Sequence, residues 1–165
     1  MHSEWHRFLK TSTTFMTKIE TFFGKHRFLS NFYKVEFVWD GILWPSSEHA
    51  YQAAKTLDRK KRLEISWEPK PGDVKRIGKT LELRPDWEKV KVKIMKEIVF
   101  AKFNQNPELK KKLLATGDAI LEEGNTWGDR VWGISPPGSD EGTNYLGQIL
   151  MALRDQFREE EDASA

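Results

Sequence analysis

Glu48, Gln52 and Lys55 stand at i, i+4 and i+7, and Tyr51 falls between them, three places after Glu48 and four before Lys55. On a helix that spacing gathers an acid, an amide, a phenol and an amine on one stripe. Such a set can move protons, and an amine kept neutral can attack an electrophilic carbon. Ala50, Ala53 and Ala54 keep the opposite side slim for close packing. Periodicity alone favours the plainer reading, an exposed helix with ordinary i, i+4 pairing.

A second candidate is Asn125-Thr126-Trp127-Gly128-Asp129-Arg130-Val131-Trp132-Gly133, where two tryptophans and two glycines surround one carboxylate. Glycine permits tight bends and an indole stacks on a base or sugar face. A carboxylate held there can act as acid, base or cation stabiliser. The structural alternative, tryptophans plugging the core and Asp129 capping a turn, has equal support from composition. Gly142-Thr143-Asn144 leads into a helix start, whose free amides favour a phosphate. Any well-capped helix shows the same pattern. Phe28 to Tyr33, with Asn31 and Phe32 inside it, reads as a ligand wall or as core.

The elements that must position these groups follow from pattern. Val35–Trp39 alternates as a strand, Asp40-Gly41 signals a turn, and Ile42–Trp44 returns as a hairpin. Pro45-Ser46-Ser47-Glu48 starts a helix with a serine cap, expected to run to about Leu57. A short helix is expected over Asp73–Ile77. A longer one opens at Pro85-Asp86-Trp87 and runs to Phe103 or Asn104, with Trp87, Val90, Ile94, Ile98 and Ala101 on its apolar face. Pro107 starts the next, ending at Gly117. Ala119–Glu123 reads as a strand, 124–142 as a loop, and the final helix buries Leu146, Ile149, Leu150, Leu153 and Phe157. The expected fold is mainly α with a small β-sheet (α+β), in one compact domain over 21–157. An N-terminal extension (1–20) precedes it and an acidic tail (158–165) follows.

Composition sets the outer limits. The 165 residues carry 38% hydrophobic and 32% charged side chains, a normal balance for a folded domain. No apolar run approaches the ~20 residues of a bilayer span, and the first ten residues lack the apolar core of a secretion signal, so a cytoplasmic protein without a membrane partner is expected. Absence of cysteine excludes disulfides, thiolate metal sites and cysteine nucleophiles. Of four histidines only His2 and His6 stand at ligand spacing, in a terminus where chance explains it; no metal or other cofactor is expected. The net charge of +2 demands no nucleic acid, although Lys55–Arg62 and Lys70–Lys79 are locally basic.

Taken in order, these segments resemble the NADAR family, also called YbiA-like proteins. The matching text includes Phe28-Leu29-Ser30-Asn31-Phe32-Tyr33, Trp44-Pro45-Ser46-Ser47-Glu48-His49-Ala50-Tyr51-Gln52-Ala53-Ala54-Lys55, and Leu83-Arg84-Pro85-Asp86-Trp87. It continues through Ala101-Lys102-Phe103, Leu113–Gly117, Trp127-Gly128-Asp129 with Trp132-Gly133, and Gly142-Thr143-Asn144-Tyr145-Leu146-Gly147. The likeness covers roughly residues 20–155. Glu64–Pro69 is bulkier than the alanine-rich stretch expected there, which alters the rim of the pocket.

The resemblance implies hydrolysis of N-glycosidic bonds on ribose that carries phosphate or ADP. One branch destroys ribosylaminopyrimidine intermediates of riboflavin biosynthesis. Another removes ADP-ribose from guanine in DNA or RNA, as the antidote to a toxin that modifies DNA. Carried over by motif, Glu48, Asp129 and Lys55 are the catalytic candidates. In one mechanism Glu48 and Asp129 share the acid, base and cation-stabilising work while water attacks C1. In the other, Lys55 attacks the opened sugar and forms an imine; the amine one face from Glu48 favours this route. Tyr51, Trp127, Gly128 and Trp132 would line the substrate, and Asn31, Phe32, Arg84, Thr143 and Asn144 would contact base, ribose or phosphate. Arg84 has a local alternative as a partner of Asp86 or Glu88. The rival function is a non-catalytic module that binds ADP-ribose or nucleic acid; it would keep the tryptophans without needing Glu48 and Lys55.

Overall fold

The computed structural model of the protein describes residues 17–165; the His2–His6 pair lies outside the described residues. At the centre is the alanine-bearing helix α1 (Ser47–Ala54), buried along its whole length. Ser46 caps it from an extended backbone, its Oγ accepting from the His49 amide at 3.2 Å. That bond satisfies one of the orphan amides of the first turn. Helices α2 (Arg59–Ser66), α3 (Pro71–Gly78) and α4 (Trp87–Asn104) close over α1. The three alanines allow the approach. So does Gly78, where a Cβ would come within 1.8 Å of Gln52 Oε1.

The His49 ring ties α1 to the chain beyond α2. Its Nε2 lies 2.7 Å from the Glu68 carbonyl and its Nδ1 2.6 Å from Ser46 Oγ. A carbonyl only accepts, so Nε2 carries the proton and Nδ1 accepts from the serine hydroxyl.

Strands β2 (Phe37–Trp39) and β3 (Ile42–Trp44) form the expected hairpin, with Phe37 opposite Trp44. Asp40 and Gly41 turn it with φ of 54° and 68°, as a two-residue hairpin loop requires. Phe37 and Trp44 enter the core; Val38 and Leu43 face out. Beyond α4 come α5 (Pro107–Ala115), β4 (Ile120–Leu121) and α6 (Tyr145–Ser164). The last buries Leu146, Ile149, Leu150, Leu153 and Phe157, as its period indicates.

The architecture is mainly helical with little sheet, and the differences from expectation are local. The sheet is two separate strand pairs. One is the hairpin. The other joins β1 (Lys18–Ile19) in parallel to β4, so the end of the expected extension belongs to the domain. The expected acidic tail continues α6 as helix to Ser164. The locally basic run after Asp58 forms α2: Asp58 accepts from the Lys60 and Lys61 amides, and Arg62 and Ile65 turn inward. Helix α1 stops at Ala54 instead of Leu57, because the Lys55 carbonyl turns to accept from the Arg84 amide at 2.8 Å. No helix among the described residues is long and apolar enough to cross a membrane.

Candidate active site

One face of α1 opens on a cavity of about 380 Å³, lined by Glu48, Tyr51, Gln52 and Lys55. The i, i+4, i+7 stripe is therefore the floor of a site. Gln52 Nε2 donates to Glu48 Oε1 at 2.7 Å. Burial drives the Glu48 pKa upward against that bond and the nearby Lys75 and Lys55 charges. Burial also lowers the Lys55 pKa; Glu48 opposes the shift, while Lys75, Lys79 and Lys91 reinforce it. Helix and desolvation together bias an amine and an acid toward their neutral forms. Lys55 Nζ stands 5.7 Å from the centre of the Tyr51 ring. Tyr51 packs between Trp87 and Trp132, each with its ring centre 5.3 Å away. Burial raises the phenol's pKa, so it stays protonated.

The opposite wall is the loop of Trp127, Gly128, Asp129 and Trp132. Asn125, fully buried, braces it: Asn125 Oδ1 accepts from the Asp129 amide at 3.0 Å, and its Nδ2 donates to the Asp129 carbonyl at 2.8 Å. Asp129 Oδ1 accepts from the amides of Val131 and Trp132 at 3.0 and 2.9 Å. Asp129 thus organises the turn, as the structural alternative had it, and its residue also lines the cavity. Gly128, at φ 83°, supplies the left-handed bend.

Ser30, Asn31 and Phe32 form a third wall. It is anchored by Lys102, wholly buried, whose Nζ donates to the Ser30 carbonyl at 3.0 Å and whose pKa burial pushes down to about 7. The Asn31 side-chain amide donates to the Met95 sulfur at 3.6 Å, a weak acceptor.

Three expected contacts do not reach the cavity. Arg84 pairs with Asp86, Nε to Oδ1 at 2.6 Å and Nη2 to Oδ2 at 3.0 Å; the local alternative holds. Thr143 and Asn144 open α6, but the amides of residues 143–146 donate to the carbonyls of Arg130, Gly133, Val131 and Trp132 in turn. No free amide of that group remains for a phosphate. Asn144 instead spans from the Glu123 amide to the Leu121 carbonyl.

Sequence reasoning missed Glu123, Lys75 and Lys91, which also line the cavity. Glu123 follows a two-residue strand and has no spacing relation to α1. Its carboxylate accepts from Asn125 Nδ2 at 3.1 Å. Burial pushes its pKa up to about 7, with Asp129 adding to the rise. Lys75 Nζ lies over both Phe32 and Trp127, at 5.9 and 5.6 Å from the ring centres. The basic run holding it gave a signal of charge without direction.

The chain is similar to proteins already known. A family model described as the NADAR domain matches residues 14–158. The N-glycosidase YbiA of Escherichia coli strain K12 is 43% identical over 130 residues, covering 78% of this chain and 79% of that protein. A protein of Vibrio vulnificus strain YJ016, called riboflavin biosynthesis protein VVA0006, is 38% identical over 136 residues, 81% of this chain and 36% of that one. The NMR structure of Escherichia coli YbiA superposes with a TM-score of 0.77 at 38% identity, covering 90% of this chain and 89% of the other. Motif order, fold and the breadth of these matches agree, and the chain belongs to the NADAR domain family.

Proposed function

We propose that the protein is an N-glycosidase that hydrolyses the bond between ribose C1 and nitrogen in N-ribosides bearing phosphate. The observation that carries this reading is Lys55, an amine whose pKa burial lowers, facing the same cavity as a carboxyl whose pKa burial raises. The names of relatives, N-glycosidase and riboflavin biosynthesis protein, point the same way.

The favoured route passes through an imine. Glu48 gives a proton to the ring oxygen, the sugar opens, and C1 becomes electron-poor. Lys55 Nζ adds its lone pair to C1. The C1–N bond to the base then breaks, its electrons staying on nitrogen, which takes up a proton. Water adds to the remaining C1–Nζ imine and expels the lysine amine. The freed aldehyde recloses to ribose. Asp129 balances the positive charge at C1, Tyr51 and Trp132 exclude water, and Lys75 and Lys91 attract the phosphate. A ribosylaminopyrimidine phosphate is the favoured substrate, and ADP-ribosyl-guanine in nucleic acid the second branch to assay.

Turnover of both substrates tests the reading, with Lys55→Ala and Glu48→Ala alongside and borohydride added during turnover. Release of free base, loss in both variants, and a reduced adduct on Lys55 are the expected results. Turnover without an adduct replaces the imine with direct attack by water. Tight ADP-ribose binding with no turnover of either substrate leaves a binding module.

A further inference from the structure

A second cleft, of about 340 Å³, adjoins the catalytic cavity. The two share Ser30, Phe32, Lys75, Glu123 and Trp127; Phe22, Phe23 and Gly124 belong to the second alone. Its chemistry differs from its neighbour's. Among the described residues five phenylalanine and tryptophan side chains are exposed. Trp67 and Phe100 lie elsewhere, while Phe23, Phe32 and Trp127 (62%, 40% and 52% exposed) converge on this cleft. Exposed aromatics gathered around one concavity offer ring faces to a planar ligand. Lys75 stands where the cavities meet, over two of those rings. The catalytic cavity holds the amine and carboxyls suited to a sugar.

Glu123 lies on that border and is held from several sides. Its amide donates to Asn144 Oδ1 at 3.0 Å and its carboxylate accepts from Asn125 Nδ2. Gly133 packs so closely that a Cβ there would come within 2.0 Å of Glu123 Oε2. Asp129, by comparison, has one carboxylate oxygen committed to two backbone amides.

We infer that the aromatic cleft of Phe23, Phe32 and Trp127 holds the departing heterocycle, and that Glu123 protonates the leaving nitrogen at its border with the sugar cavity. The inference rests on the N-glycosidase reading. As the C1–N bond breaks, its electron pair stays on nitrogen and the Glu123 proton joins it. The water that later adds to C1 releases a proton, which restores the acid. A carboxyl pushed up to about 7 by burial still holds its proton near neutral pH and can give it away. The heterocycle's ring faces lie against these aromatics, and its linking nitrogen stands next to the acid.

Calorimetry with free 5,6-diaminouracil and ribose 5-phosphate, separately and together, tests the cleft without requiring turnover. The inference expects both to bind at once; mutual exclusion from a single site overturns it. Phe23→Ala should weaken diaminouracil by about ten-fold, the scale of one lost stacking partner, and leave ribose 5-phosphate unchanged. Equal weakening of both ligands overturns the assignment. Glu123→Gln, of matched shape, tests the acid on the ribosylaminopyrimidine phosphate. It should lower kcat by about 10²-fold with KM little changed, and abolish the fall in wild-type activity above pH about 7. A variant that retains this basic limb removes Glu123 from the chemistry. No turnover of any N-riboside by the wild-type protein would sink the glycosidase reading, and the acid with it, while calorimetry still decides the cleft.

Discussion

Glu48 carries a thermodynamic cost that follows from where it sits. Its folded-state pKa lies above the ordinary 4.5, with burial the first cause. Between 4.5 and the raised value the folded state holds the proton that the unfolded state has lost. Stability from this group is therefore full below 4.5 and is lost as pH rises through the folded pKa. Glu48→Gln keeps an oxygen for the Gln52 amide and removes the charge. It should melt higher than the wild type at pH 7, by roughly 2–5 °C, with the gap closing near pH 4, and lose activity. Thermal scans across that range check the sign; a variant that melts lower at pH 7 contradicts it. The Glu48–Lys55 stripe was legible because helical spacing is a local property. Arg84 was ambiguous for the same reason: its partner Asp86 stands two residues away and takes the guanidinium before any ligand can. Glu123 was not legible, since only tertiary packing brings it across to α1.

Helix α1 owes its position to a chain of three groups: Ser46, His49 and the Glu68 carbonyl. Ser46→Ala removes both the cap and the donor to His49 and should cost about 1–2 kcal/mol in chemical denaturation. Burial lowers the His49 pKa below its ordinary 6.5. As pH falls below 6.5 the unfolded chain takes up a proton that the folded ring resists. The His49 contribution is complete above that value and declines beneath it. Wild-type stability should drop between pH 6.5 and 5.5 relative to His49→Gln, which cannot titrate; parallel curves would refute the link. At this scale the sequence was informative where a long apolar period or a cap existed, as in α4, α5 and α6. It failed at α2, because Arg59-Lys60-Lys61-Arg62 carries charge at every position and only tertiary contacts show which way Arg62 turns. Its guanidinium reaches Asp40, Nη1 to Oδ2 at 2.7 Å, inside the hairpin turn.

Across the whole molecule the cavity beside α1 is a seam between two halves of the chain. The floor comes from residues 48–55, and the far wall from a loop more than seventy positions later. The sequence shows both margins but not the fastening between them. Gly142-Thr143-Asn144 has the pattern of a helix start with open amides, and nothing local reveals that the carbonyls of residues 130–133 fill them. Asn144→Ala should test that fastening: it frees the Glu123 amide and the Leu121 carbonyl together. We expect a loss of about 2 kcal/mol or more in stability, with the tryptophan emission shifted as the loop bearing Trp127 and Trp132 relaxes. Unchanged fluorescence would show that the wall holds without it.

Because the carbonyls of 130–133 are the caps of the last helix, the tryptophan loop is not a portable insert. Transplanting residues 125–133 alone between relatives would leave the recipient's helix start facing foreign carbonyl positions. Transplanting 123–146 moves lock and key as one piece. Substrate preference in this family should therefore travel by exchange of that longer block, and chimeras cut inside it should be recovered misfolded while those cut at its ends remain active.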